Sequence, residues 1–401
     1  MDLLSATRQR LLAGEGIVAG CLSGTSADGI DVVLMRPRAV ARPEDWEAAG
    51  EGPESLAFET LPFEPSLAAR VRCVLDGEPL GLGPLACLSR DLGLAFGAAA
   101  RRLAEAQGLG LDLVASHGQT VWHHDGDPQF GPASLQLGEG NFVAQAAGAL
   151  TAADFRQADL ALGGEGAPIS ALADELLFPG LERPLAILNL GGMANLTLLG
   201  ERGSGRLTAF DTGPAGSLLD GLARRLLGQP YDAEGRVASA GKVHAGWVQE
   251  ILSHSFFKQL PPKSTGRDTF GEAWIEALLA SPAGREVQAG GAPDVLASAV
   301  AAVAQSVHEG LGNSGSPTPR RLLLAGGGAK NLELVRSLSR GRDPVVESCA
   351  QHGVDPDARE ALVFAILGLR CVFGLSSTNP GATGARAGGI LGALFQPARD
   401  F

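Results

Sequence analysis

Between two apolar runs, Ile17 to Leu22 and Ile30 to Met35, residues 23–31 read SGTSADGID. Flanks of strand composition around a tip of small, hydroxylated and acidic residues describe a hairpin suited to phosphate. Gly24 and Gly29 permit a tight turn, Thr25 and Ser26 offer hydroxyls, and Asp28 and Asp31 can hold a magnesium ion directly or through water. Any turn prefers the same residue types, so the weight rests on repetition. A second hairpin supplies it: Leu185 to Leu190 and Leu196 to Leu199 flank the tip Gly191, Gly192, Met193, Ala194, Asn195. Glycine-rich tips let main-chain N–H groups approach phosphate oxygens closely.

Four further groups can do chemistry. The apolar Leu111 to Ala115 ends abruptly in SHGQT, so His117, Gln119 and Thr120 are expected at a strand end, where open α/β sheets bind their ligands; the plain alternative is a polar loop. Around Asp154, Arg156 and Asp159 and the Gly163–Gly166 loop, an arginine can clamp a carboxylate or pair with its own aspartates. Asp211 follows the strand-like Leu207 to Phe210 and precedes a helical pattern, so it is either a general base or the cap of a turn or helix. The run Gly326, Gly327, Gly328, Ala329, Lys330, Asn331 follows another short strand, where missing side chains admit a flat ring such as adenine or serve only a tight connection.

The elements that must position these groups form two halves, each opened by a strand-turn-strand unit. That predicts two α/β domains, 1–153 and 154–386, facing each other across a cleft, with a C-terminal helix over 387–401 packing back on the first. The Pro-, Glu- and Arg-rich Arg36 to Pro62 reads as a surface insertion, Leu85 to Gln107 as a helix, and Ala361 to Leu369 as a buried helix. With 401 residues, 56 of them glycine, the chain is long enough for two cores.

A formal net charge of -12 disfavours nucleic acid and anionic membrane as partners. Five cysteines without a CxxC pair fit reduced thiols and a cytoplasmic location, and no secretory signal or membrane span is read. No GxxxxGK[ST] occurs, neither hairpin continues as GxGxxG with its acidic partner, and His117, His123 and His124 lack zinc-site spacing. The single DTG, at Asp211 to Gly213, is half of what an aspartic protease needs.

Taken in order, both hairpins, SHGQT, the Asp154–Arg156 segment, FDTGP, PPKSTGRD (261–268) and AGGGAKN (325–331) resemble the anhydro-N-acetylmuramic acid kinase family over nearly the whole length. The resemblance implies the paired actin-like, ribonuclease-H-like domains of the superfamily of sugar kinases, actin and heat-shock ATPases. It implies ATP and Mg2+ as cofactors. Gly24, Thr25, Ser26, Asp28, Gly29 and Asp31 would meet phosphate or metal, with Asp28 as the metal ligand. Gly191, Gly192 and Asn195 would form the second phosphate loop, and Gly326, Gly327, Gly328 and Asn331 the adenosine loop. His117, Gln119, Thr120, Arg156, Asp159, Gly164 and Glu360 would face the sugar, and Asp211 would be the catalytic carboxylate.

The implied reaction opens the 1,6-anhydro bond with water and places the γ-phosphoryl group on O6, giving N-acetylmuramic acid 6-phosphate. Family members commonly form homodimers, which is the expectation here. Gly216 and Glu165 stand where the family has Asn and Gln, and Ala27 replaces a bulkier residue. A kinase for levoglucosan, the plain anhydroglucose, and a non-catalytic ATP-dependent clamp are the alternatives within the superfamily.

Overall fold

A computed structural model describes residues 2–398 apart from 25, 26, 28, 49, 128–130, 203–206, 262, 267, 268 and 342. The chain divides into two compact units, Met1–Leu181 with Ala358–Phe401, and Glu182–Asp357.

The first unit is built on strands β1 (Val18–Ser23), β2 (Gly29–Arg36), β3 (Glu54–Pro62), β4 (Leu113–Asp127), β5 (Gly131–Leu137) and β6 (Leu150–Ala153). Along the sheet the order is β3-β2-β1-β4-β6, closed by a last strand, Ala393–Phe395, antiparallel to β6. β1, β4 and β6 are mutually parallel, and β1 is buried throughout, as its unbroken apolar run requires for a strand covered on both faces. Alternate residues show the two faces. Ala19 and Cys21 join Phe96 and Leu92 of the helix Leu82–Ala106, whereas Gly20 faces the helix Arg359–Phe373. A Cβ on Gly20 would lie 2.0 Å from the Ala361 carbonyl oxygen, and one on Gly368 would lie 2.5 Å from the Ala115 Cβ. Small residues thus let a helix buried along nearly all its length sit directly on the sheet.

The second unit repeats the plan with β7 (Leu185–Leu190), β8 (Met193–Leu199), β9 (Leu207–Pro214), β10 (Arg321–Ala325) and β11 (Val345–Ser348). Its order is β9-β8-β7-β10-β11, again an antiparallel meander whose first strand pairs in parallel with the fourth. The internal repeat read from the hairpins is therefore a repeat of topology. Its core joins β7, β8 and β10 to the helices Gly216–Leu227 and Ala292–Asn313, around a fully buried Trp247.

Several expectations change. The division falls at 181/182 and 357/358 instead of 153/154 and 386/387, because Phe155 and the Arg359–Phe373 helix pack in the first unit: Phe155 lies 5.6 Å from Phe364. Of the expected C-terminal helix over 387–401, the described residues 387–398 form none. Gly388, Gly389 and Gly392 disfavour one, and residues 393–395 gain ladder hydrogen bonds along β6 instead. Glu54–Pro62, expected within a surface insertion, is a full strand along β2. β4 does not stop before SHGQT but runs on to Asp127, paired with β5. No described helix is long and apolar enough to cross a membrane.

Candidate active site

In the first unit the carboxyl ends of β1 and β6 lie on either side of β4, next to Ser116–Gln119. The register between β1 and β4 shifts there, Cys21 pairing with Ser116 but Leu22 with Gly118, so His117 is the extra residue of a bulge. Gly118 makes the bulge possible: its φ is +77°, and a Cβ would lie 2.4 Å from the Leu137 carbonyl oxygen. His117 is re-aimed into a buried position, 6% exposed, with its ring 4.3 Å from that of Phe364. Arg156 Nε donates to His117 Nε2 at 2.9 Å, which assigns the ring proton to Nδ1, and Nδ1 is buried without a partner among the described residues. Burial, with the adjacent Arg156 guanidinium, holds His117 well below the ordinary imidazole value, so it is neutral.

Arg156 also donates from Nη1 to the Gly166 carbonyl at 2.7 Å. Burial lowers its pKa to about 10, with Glu360 and Asp159 pulling the other way, so it keeps its charge at neutral pH. Glu360, in the first turn of the Arg359–Phe373 helix, keeps solvent access although protein crowds it. The lost hydration raises its pKa against the pull of Arg359 and Arg156, and Asp31 adds repulsion. Asp31 Oδ1 accepts from Thr60 Oγ1 at 2.6 Å. Gln119 Nε2 holds the Gly24 carbonyl at 3.2 Å, tying the hairpin tip to β4, while its Oε1 is buried without a partner among the described residues. Thus His117, Gln119, Arg156, Glu360 and Asp31 share one end of one sheet.

Other expected residues are occupied within the fold. Asp159 is 0% exposed, and its carboxylate accepts from the Gly166 N–H at 2.8 Å and Thr383 Oγ1 at 2.7 Å. A Cβ on Gly164 would lie 2.2 Å from Asp159 Oδ2, so both hold the Gly163–Gly166 loop in shape. Thr120 Oγ1 accepts from Gln136 Nε2 across the β4–β5 ladder. Gly29 lies against the Leu61 carbonyl, whereas Gly24 has open space. Thr25, Ser26 and Asp28 lie outside the described residues. Asp154, grouped in the sequence with Arg156 and Asp159, directly follows β6 with φ +67°, a strained conformation for a non-glycine residue.

In the second unit Asp211 lies in β9 opposite Asn195, and the register then shifts so that Thr212 is the extra residue of a second bulge, followed by Gly213 at φ +147°. Asp211 is 9% exposed. Its Oδ1 accepts from Asn195 Nδ2 at 3.0 Å and its Oδ2 from the Thr265 N–H at 2.9 Å, while its own N–H donates to the Lys263 carbonyl at 3.0 Å. It is no helix cap, because the Gly216–Leu227 helix has no side-chain cap. The Gly191 and Gly192 carbonyls serve there, accepting from the Gly216 N–H at 2.9 Å and the Ser217 N–H at 3.0 Å. Lys263, in the basic and hydroxylated Pro261–Phe270 loop, turns inward: Nζ donates to the Phe256 carbonyl at 3.2 Å and lies 4.4 Å from that ring's centroid.

In the expected adenosine loop the glycines differ. A Cβ on Gly326 or Gly328 would strike Leu190 at 2.8 and 2.7 Å, so both serve the tight connection. Gly327 alone has open space around it. Asn331 Oδ1 accepts from the Leu334 N–H at 3.0 Å and caps the Leu332–Leu338 helix.

A family model described as anhydro-N-acetylmuramic acid kinase matches residues 16–397. Curated relatives carrying that name include one from Xanthomonas campestris pv. campestris (strain 8004), 37% identical over 94% of this chain and 96% of its own. Another, from Salinibacter ruber (strain DSM 13855 / M31), is 35% identical over 99% of this chain and 100% of its own. Solved structures are matched remotely: the activator of a 2-hydroxyisocaproyl-CoA dehydratase from Clostridium difficile has a TM-score of 0.42 at 13% identity over 89% of this chain and 96% of that one, too low to argue from. The chain belongs to the anhydro-N-acetylmuramic acid kinase family.

Proposed function

We propose that the protein is an ATP-dependent kinase that opens 1,6-anhydro-N-acetylmuramic acid with water and phosphorylates the freed O6. The observation that carries this reading is Asp211: a nearly buried carboxylate, within a chain of this family, held through one oxygen by an amide and through the other by a main-chain N–H. Asp211 takes a proton from the water as the water oxygen bonds to the anomeric carbon. The bond from that carbon to O6 breaks, O6 bonds to the γ-phosphorus, and the bond from the γ-phosphorus to the β–γ bridging oxygen breaks, releasing ADP. One carboxylate suffices because O6 leaves onto phosphorus, so no second acid is needed to protonate it.

The sugar is assigned to His117, Gln119, Arg156 and Glu360, with Asp159 and Gly164 shaping the loop behind them. Neutral His117 offers its Nδ1–H as a donor, and Arg156 brings the positive charge. ATP phosphates are assigned to the two hairpin tips and the adenosine to the open side of Gly327. Magnesium commonly takes one or two carboxylates and completes its shell with phosphate oxygens and water. Asp31 with Asp28 fits that donor set, and the ion would neutralise charge on the phosphates. Cytoplasmic location and a homodimer complete the proposal.

The test is ADP release by the purified protein with Mg-ATP and, separately, 1,6-anhydro-N-acetylmuramic acid, levoglucosan and N-acetylglucosamine. Turnover confined to the first sugar is expected. Turnover on levoglucosan alone would keep the mechanism and remove the cell-wall sugar, and sugar-independent hydrolysis would favour a clamp.

A further inference from the structure

We infer that Asn195 is a positioning residue for Asp211, not a phosphate ligand, and that with the Lys263–Thr265 segment it aims the carboxylate. The inference rests on the assignment of Asp211 as the base and names what orients it. Asn195 and Asp211 face each other across β8 and β9 at the register where the Thr212 bulge begins, so the two side chains leave the ladder together. The amide Nδ2 reaches Oδ1 at 3.0 Å. On the opposite oxygen the Thr265 N–H donates at 2.9 Å, and the same segment takes the Asp211 N–H on the Lys263 carbonyl at 3.0 Å.

These contacts fix Asp211 at both carboxylate oxygens and at its main chain, from two stretches of chain far apart in sequence. The segment is itself anchored, through the Lys263 ammonium on the Phe256 carbonyl and ring. An amide and a main-chain N–H favour the ionised carboxylate, and the Lys263 charge acts on it in the same sense, which suits a group that must stay ionised until it takes a proton from water. The base and its orienting partner form the arrangement that general-base catalysis demands elsewhere, with an amide as the third group.

The test compares Asn195→Ala and Asn195→Asp with the unaltered full chain in steady-state ADP release across pH, with thermal unfolding as a check of folding. Asn195→Ala is expected to lower kcat roughly 10- to 100-fold, as loss of a hydrogen bond to a charged group does, with the KM for ATP changed by less than about twofold. The acidic limb of kcat/KM for the sugar moves to higher pH, because a donor to the ionised form is gone. In Asn195→Asp it moves further, since a second carboxylate beside the first resists ionisation. A raised KM for ATP with kcat and the acidic limb unchanged overturns the inference and returns Asn195 to the phosphates. Full activity in Asp211→Asn removes the base itself, whereas an inactive Asp211→Asn beside unshifted Asn195 variants removes only the positioning role. Should the Asp variant not fold, the Ala variant carries both readouts.

Discussion

In the first sheet the residue squeezed out by the bulge, His117, is itself the candidate site residue; in the second the extra residue is Thr212, buried and bonded to the Ala194 carbonyl, and the candidate is Asp211 just before it. The surroundings differ as well. Around His117 the groups carry charge and act on one another: Arg156, Asp159, Glu360, Asp31. Asp211 is held by an amide and a main-chain N–H. One backbone device, a bulge followed by a glycine at positive φ, thus serves two ends. In the proposed reading the charged cluster holds a ligand, while the Asp211 carboxylate, hydrogen-bonded by two neutral donors, changes its protonation during the reaction.

The largest expected effect separates these roles. Asp211→Asn keeps the shape and removes the proposed base, so kcat is expected to fall by about 10² to 10⁴, measured as ADP release at saturating substrates. A loss confined to KM would make Asp211 a binding residue like those of the first sheet. Next come the two bulge glycines. Gly118→Ala meets a main-chain oxygen at 2.4 Å and a strained φ, and is expected to cost about 1–3 kcal/mol of stability in thermal or denaturant melts. Gly213→Ala meets instead the Phe257 ring at 2.6 Å and takes alanine to a φ of +147°, so a comparable cost is expected. Unchanged stability in either variant would mean that its bulge does not need glycine.

The smallest effect concerns pH. His117 is held below its ordinary value of 6.5, so between the folded and unfolded values the unfolded chain binds the extra proton. Stability is therefore full above about pH 6.5 and declines as pH falls, by at most about 1.4 kcal/mol per pH unit, until the folded value is reached. His117→Gln removes this slope. Melting temperatures of both proteins at pH 7.5 and 5.5 test it, and identical slopes would mean that His117 titrates freely.

Both hairpins were legible because strand composition and turn glycines are local signals. What pairs with what was not. β4 continues through SHGQT only because β5 lies beside it, and the chain-terminal strand exists only because β6 is free to accept it. A bulge adds one residue without changing composition, so neither His117 nor Thr212 announces it, although glycine directly after each is the trace it leaves. Asn331 and Asp159 were expected at ligands through the family resemblance, and in the fold both side chains are engaged by the chain itself. Asn331 stands before Leu332, Leu334 and Val335, where an N-cap belongs, and that pattern was readable. The anchoring of Asp159 by Thr383 was not, since 224 residues separate them.

The division of the chain has a consequence for its synthesis. The second unit is one uninterrupted stretch, Glu182–Asp357, whereas the first borrows the Arg359–Phe373 helix and the terminal strand from beyond it. As the chain emerges, Gly20, Ala115 and Ala152 wait with one face of their sheet uncovered while a whole domain is made behind them. The unit that begins first is the last that can be completed, and its apolar face is exposed to chaperones for the longest time.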